Sequence, residues 1–152
     1  MDDRSEHWLW RLDAAAWLRA AHAELEAGRA HLNSRRIAVT HARRGAGMAI
    51  NAVLVALPVG PGEELRWGRS YLDHLRALAG ADEAHRGPLS VRVQSASARL
   101  LTLAVAPSAA LIQLVQLARG PHSAAETALD LAAQIFDECA AFVATHPARS
   151  PA

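Results

Sequence analysis

The sequence contains no lysine: all 16 of its basic residues are arginines, and they balance 15 acidic residues to a formal net charge of +1. A net charge this close to zero gives the chain no overall electrostatic attraction to nucleic acid. The arginine bias accompanies a high alanine content, so it indicates GC-rich coding more than it indicates phosphate binding. Composition alone therefore does not point to a nucleic-acid-binding protein.

Cysteine and metal-binding patterns are equally scarce. The single cysteine, Cys139, excludes an internal disulfide framework and any zinc site built from a cysteine cluster. The eight histidines include no HExxH motif and no pair spaced by four residues, which a helical zinc site would need. The sequence has no P-loop and no Gly-x-Ser-x-Gly motif either. We therefore expect neither a metal ion nor another cofactor.

Long apolar runs are missing too. The longest apolar run, residues 100–117, has no charged residue but is interrupted by proline and glutamine, which argues against a transmembrane segment. The N-terminal heptapeptide MDDRSEH is polar and of mixed charge, unlike a signal peptide, so we expect a cytoplasmic protein without membrane contact. Hydrophobic residues still make up 51% of the chain, enough for the core of one domain. We expect this domain over residues 1–146, followed by a disordered tail at 147–152.

The sequence does contain strong helical periodicity, most clearly in residues 33–58. Asn33 or Ser34 is suited to cap the start of a helix there. Gly45 and Gly47 each cost about 1 kcal/mol relative to alanine inside a helix, so we expect another helix to approach closely at these positions. Apolar residues recur every three or four positions, as on one helical face, at Ala42, Ala46, Ala49, Val53 and Leu57. This helix should lie at the centre of the fold.

A second helix is predicted immediately before it, over residues 8–32, with Trp10 and Trp17 on its apolar face. The connection between these two helices is very short, so they should pack as an antiparallel hairpin. A shorter helix is expected over residues 67–79, ended by Gly80.

The remaining elements are predicted with one open alternative. Residues 89–117 alternate at first like a strand, but the length of the pattern favours a helix, with a further short helix after Pro107. A strand or extended segment near Pro107 is the alternative. The capping box Ser123-x-x-Glu126 begins a last helix, in which Cys139 lies on the apolar face as a core thiol. The sequence therefore predicts an all-α, up-down bundle of about five helices.

These elements together resemble a HEPN domain, a small helical bundle whose family name refers to nucleotide binding. The segments that carry the resemblance occur in the family's order: WLRAAHAELEAGRAHL, HARRGAGMAINAVL, YLDHLRAL and AAETALDLAAQIFDECAAFV. The chain departs from the family at Gly47 and Asn51, where a glutamate and a lysine are usual, and at LARGPH, which replaces an aromatic-Arg-Tyr-Pro signature. The resemblance implies a homodimer, for which we expect the Gly45/Gly47 face, and a nucleotidyltransferase-like protein as a partner.

Many members of the family are metal-independent ribonucleases that use an arginine followed, after four to six residues, by a histidine. The resemblance would give such a histidine the role of general acid or base, and the arginine that of stabilising the phosphate. The weak candidates here are Arg36 with His41 and Arg69 with His74. Arg35 also has an allowed spacing in the sequence from His41. Sixteen arginines and eight histidines give about as many such spacings by chance, so the pairs carry little weight.

Polar residues recur at helical spacing along one side of the central helix and form a stripe there. It consists of Arg36, Thr40, Arg43, Gly47 and Asn51, with Arg44 beside it. The resemblance makes Arg36, Arg43, Arg44 and Asn51 candidate ligand-binding residues for the phosphate of a nucleotide or RNA, since arginine offers bidentate contacts. In the alternative interpretation, Arg43 and Arg44 pair with Glu24, Glu26 or Asp137, and Asn51 satisfies a buried contact. We favour a non-enzymatic binding or interaction domain over the metal-independent ribonuclease.

Overall fold

A computed structural model of the chain describes residues 8–57, 70–83, 85–103 and 123–146, except for the side chain of Ser123. These ranges contain five α-helices, one short 3-10 helix and no strand. The elements are the 3-10 helix Trp8–Arg11, α1 (Ala14–Arg29), α2 (Arg35–Ala56), α3 (Tyr71–Ala79), α4 (Val91–Thr102) and α5 (Ser123–Thr145). The predicted all-α bundle of about five helices is confirmed.

The N-terminal hairpin has the predicted antiparallel arrangement. Gly28, near the end of α1, lies against Ala38 and His41 near the start of α2. Further along α2, Gly45 lies against Leu25 and against the backbone of the preceding turn of α1. The contacts therefore run in opposite directions along the two helices. Ser34, one of the two expected residues, caps α2, because its hydroxyl accepts a hydrogen bond from the amide of Ile37 at 3.4 Å.

The predicted single helix over residues 8–32 is wrong at its start. Asp13 interrupts it: its carboxylate accepts a hydrogen bond from the amide of Ala16 at 2.7 Å and so caps α1. Trp8 and Trp10 lie before this cap in the 3-10 helix, and the indole of Trp17 donates to the carbonyl of Leu9 at 2.9 Å. An N-cap residue takes an extended backbone conformation, which redirects the chain even where the apolar periodicity continues.

The second half of α2 is the centre of the core. Every residue from Gly45 to Leu54 is buried, so the helix is surrounded on all sides rather than along one stripe. Helices α1, α3, α4 and α5 all contact it. None of the helices in the described ranges is long and apolar enough to cross a membrane.

Both glycines of α2 allow the close helix approach that the sequence predicted. A Cβ added at Gly45 would lie 2.8 Å from the side chain of Leu25, and one at Gly47 only 2.4 Å from the Cβ of Tyr71. The Gly45/Gly47 face is therefore covered by α1 and α3 of the same chain. Its assignment to a dimer interface is wrong, while dimerisation through another surface stays a prediction.

The helix favoured for the start of residues 89–117 is confirmed, because α4 spans Val91–Thr102 and is helical rather than extended. Its start is fixed by Glu138 of α5, whose carboxylate accepts from the amide of Ser90 at 2.8 Å and also from the Ser90 hydroxyl. Gly80 ends α3 as predicted. The segment around Pro107, the short helix expected after it and the tail at 147–152 lie outside the described residues.

Cys139 is fully buried in α5, as expected of a core thiol. Burial, and to a lesser extent the neighbouring Glu138, raises the pKa of this thiol far above its ordinary value. Because the thiolate is the nucleophilic form of cysteine, Cys139 is chemically inert in the folded chain.

We predict that Gly47→Ala lowers the free energy of unfolding by at least about 2 kcal/mol, because the new methyl group would overlap the backbone and Cβ of Tyr71. The matched control is Gly80→Ala. There the nearest atom to an added Cβ is 3.6 Å away and φ is −94°, so stability should stay within about 1 kcal/mol of wild type. Urea denaturation followed by circular dichroism measures both changes. Equal effects of the two substitutions would contradict the close approach.

Candidate functional site

A pocket of about 310 Å³ lies between the middle of α2 and the first turn of α3. This volume is at the lower end of the range for small-molecule sites. The described residues that line the pocket are Thr40, Arg43, Arg44, Ser70, Tyr71 and Leu72. Three members of the predicted polar region of α2, Thr40, Arg43 and Arg44, therefore meet at one concave surface.

The first turn of α3 forms the opposite wall. The hydroxyl of Ser70 accepts a hydrogen bond from the amide of Asp73 at 3.1 Å, which makes Ser70 the N-cap. The amides of Tyr71 and Leu72 belong to the first helical turn, where an α-helix supplies no acceptor for them. This end of a helix also carries a partial positive charge. The wall therefore places the positive end of a helix dipole at the same pocket as the two arginines.

Arg43 is held by the C-terminal end of α4. Its Nε and Nη2 donate to the carbonyl of Leu100 at 3.2 and 3.1 Å, and Nη2 also donates to the carbonyls of Leu101 at 3.2 Å and Leu103 at 2.7 Å. The last carbonyls of a helix have no hydrogen-bond donor within the helix. The guanidinium of Arg43 supplies donors to them, so it caps α4 and complements the helix dipole. Burial, and secondarily the charge of Arg76, lowers the pKa of Arg43.

Arg44 takes part in a polar cluster between α1 and α2. Its Nη2 lies 3.3 Å from one carboxylate oxygen of Glu24, while Nδ1 of His41 lies 2.6 Å from the other. The side chain of Glu24 is only 16% exposed, whereas that of Arg44 is 49% exposed. The guanidinium therefore has room for a second partner. The alternative interpretation of the sequence, in which Arg44 pairs with Glu24, is confirmed.

Tyr71 connects the pocket to an aromatic cluster. Its ring lies edge-on to that of Trp8, with centroids 5.2 Å apart, and to that of Trp17 at 6.4 Å. Burial raises the pKa of the Tyr71 phenol, while the charges of Arg44 and Glu24 act in opposite directions on it. Edge-to-face packing of this kind adds stability beyond area burial. The ring therefore has a defined position at the pocket wall.

The other two predicted ligand residues do not line this pocket. Arg36 is exposed one turn before Thr40, and its backbone carbonyl accepts from the Thr40 hydroxyl at 2.8 Å. Asn51 is fully buried, and neither its Oδ1 nor its Nδ2 has a hydrogen-bond partner within the described residues. An unpaired buried amide lowers stability.

The predicted arginine–histidine pairs are only partly described. Arg69 lies outside the described residues, and its partner His74 is buried with its ring stacked on Trp8 at 5.7 Å. His41 is directed to Glu24, and its ring lies 6.1 Å from that of His31. Neither His41 nor His74 lines the pocket. The described part of the chain contains no group of three or more potential metal ligands.

Comparison of the chain with protein-family models, with curated protein sequences and with solved structures found no match. The resemblance to HEPN domains therefore rests on the quoted segments alone.

Sequence reasoning missed the contribution of α3 to the site. It began that helix at Trp67, whereas Ser70 caps the helix that the structure describes. A serine three residues before Asp73 is a recognisable N-cap signal that could have moved the predicted start. Periodicity within α3 could not show that its first turn faces Arg43 and Arg44, because that contact depends on packing.

The two arginines should differ sharply in stability. We predict that Arg43→Gln lowers the free energy of unfolding by about 3 kcal/mol, because charge-assisted hydrogen bonds to three carbonyls of α4 are lost. Arg44→Gln should cost less than about 1 kcal/mol, since its ion pair is half exposed. Thermal and urea melts of the two variants without ligand measure this difference. Similar destabilisation by both substitutions would argue against the capping role of Arg43.

Proposed function

We propose that the chain is a non-enzymatic, HEPN-like binding domain that holds the phosphate of a nucleotide or of RNA in the pocket between α2 and α3. The observation that carries the proposal is the convergence of Arg43 and Arg44 with the first turn of α3. No carboxylate side chain is among the described residues that line the pocket. A pocket lined by two arginines and by the first turn of a helix suits a ligand group that is anionic and rich in acceptor oxygens.

The different environments of Arg43 and Arg44 support the same proposal. Arg43 is fixed by α4, so it provides a rigid positive charge at the pocket wall. Arg44 is half exposed, and its one described partner, Glu24, is shared with His41. Arg44 is therefore the residue that is free to bind a phosphate oxygen with little loss of stability.

We predict that Arg44→Gln weakens binding of a nucleoside monophosphate about tenfold or more, because a charge-assisted hydrogen bond is lost. Arg29→Gln is a matched control: Arg29 is 47% exposed and pairs with another glutamate of α1, Glu26, at 2.9 Å. This control should bind like the wild type. Isothermal titration calorimetry with AMP measures all three proteins. Equal affinity of the Arg44 variant and the wild type would remove the pocket as the binding site.

The HEPN resemblance leads us to propose two protein contacts as well. These are a homodimer and a nucleotidyltransferase-like partner. Sedimentation equilibrium at micromolar concentration measures the first, and a monomer throughout would contradict it.

The second candidate function is a metal-independent ribonuclease, and the Glu24–His41 contact favours it. Glu24 accepts from Nδ1 of His41 at 2.6 Å, which leaves Nε2 of the neutral ring as a base. A carboxylate that orients a histidine in this way is a common feature of general acid–base sites.

Incubation with single-stranded and structured RNA in EDTA separates the two candidates. The non-enzymatic proposal predicts no cleavage. Cleavage that is lost in His41→Ala and kept in a control variant of the exposed His22, His22→Ala, would establish the ribonuclease instead. His74→Ala is less informative, because His74 is buried and its loss would disturb the core.

A further inference from the structure

We infer that the pocket between α2 and α3 selects a phosphomonoester, such as a mononucleotide or the phosphorylated end of an RNA, over an internal phosphodiester. This inference rests on the proposed function and specifies its ligand. It follows from the number, the origin and the charge of the groups around the pocket, together with its size.

The donors come from two directions. On the α2 side, the four hydrogen bonds of Arg43 use Nε and Nη2, and Nη1 has no hydrogen-bond partner among the described residues. Arg44 contributes the guanidinium nitrogens that Glu24 does not contact. On the α3 side, Tyr71 and Leu72 line the pocket. Their amides belong to the first turn of α3, in which backbone amides have no acceptor inside the helix. Together these groups offer more donors than two oxygens can accept.

The two kinds of phosphate differ in the oxygens they present. A phosphomonoester has three non-bridging oxygens and a charge between about −1.5 and −2 at pH 7. A phosphodiester has two such oxygens and a single charge, because both remaining oxygens are esterified. A site with several donors on two sides therefore gains additional charge-assisted hydrogen bonds from the monoester.

The charge balance points the same way. Arg43 and Arg44 provide two positive charges at the pocket wall. Among the described residues, Glu24 is the carboxylate that contacts Arg44, and His41 shares it. Asp73, in the first turn of α3, is paired with Arg76 at 3.5 Å. A dianion neutralises two arginines more completely than a monoanion does.

The size of the pocket favours a terminal group. Its volume of about 310 Å³ is sufficient for a phosphate with part of an attached nucleoside. An internal phosphodiester carries a nucleotide on each side, and both would have to be accommodated. The 5′ or 3′ phosphate at the end of a chain carries only one.

The experiment compares AMP with 3′,5′-cyclic AMP by isothermal titration calorimetry on the full-length protein. The two probes have the same base and sugar, but one is a monoester and the other a diester. We expect AMP to bind at least tenfold more tightly. A second pair, a 5′-phosphorylated RNA hexamer and the same hexamer with a 5′ hydroxyl, should show the same preference and tests the RNA end as the source of the phosphate.

Arg44→Gln links the preference to this pocket. The substitution should reduce the affinity for AMP about tenfold and make the difference in affinity between AMP and cyclic AMP smaller. Arg29→Gln should leave the affinities for both probes unchanged. Equal binding of the two probes, both weakened by Arg44→Gln, would overturn the monoester selectivity and leave the proposed function standing. Binding of none of the four probes, or AMP binding that is unaffected by Arg44→Gln, would overturn the proposed function itself.

Discussion

The close approach of α3 to α2 at Gly47 is the constraint on which the rest of the structure depends. A side chain at this position would overlap the backbone of Tyr71, so α3 can start only where α2 has no Cβ. This contact brings the first turn of α3 opposite Arg43 and Arg44 and so creates the pocket. It also places Tyr71 against Trp8 and Trp17. The glycine, which weakens α2 as an isolated helix, is needed for both the core and the site.

Helix α4 shows how charge completes this arrangement. Glu138 of α5 accepts hydrogen bonds at the N-terminal end of α4, and Arg43 of α2 donates hydrogen bonds to the carbonyls at the C-terminal end of α4. An anion at the start of a helix and a cation at its end both complement the helix dipole. Arg43 therefore contributes to the stability of the fold and to the charge of the pocket at the same time. Such a dual role makes Arg43 a poor residue for separating function from folding, and Arg44 a good one.

The sequence predicted most of the fold and part of the site. Helical periodicity and a short connection were sufficient for the α1–α2 hairpin, and the polar stripe predicted two residues, Arg43 and Arg44, that line the pocket. The break at Asp13 was missed because apolar periodicity continues across it. The contribution of α3 was missed because it depends on contacts between helices distant in sequence. Asn51 lies on the predicted stripe, but every residue of α2 from Gly45 to Leu54 is buried in the bundle, so Asn51 does not face a ligand.

The most direct test of the central claim, that the α2–α3 pocket is the phosphate-binding site, is a nuclear magnetic resonance titration of the ¹⁵N-labelled protein with AMP. If the claim is correct, the largest amide shift changes occur in the first turn of α3, at Tyr71 and Leu72, and around Thr40 and Arg44 on α2. Smaller changes should reach the end of α4 through Arg43. Largest changes at a distant surface, such as the exposed start of α4 near Val91, would contradict the claim.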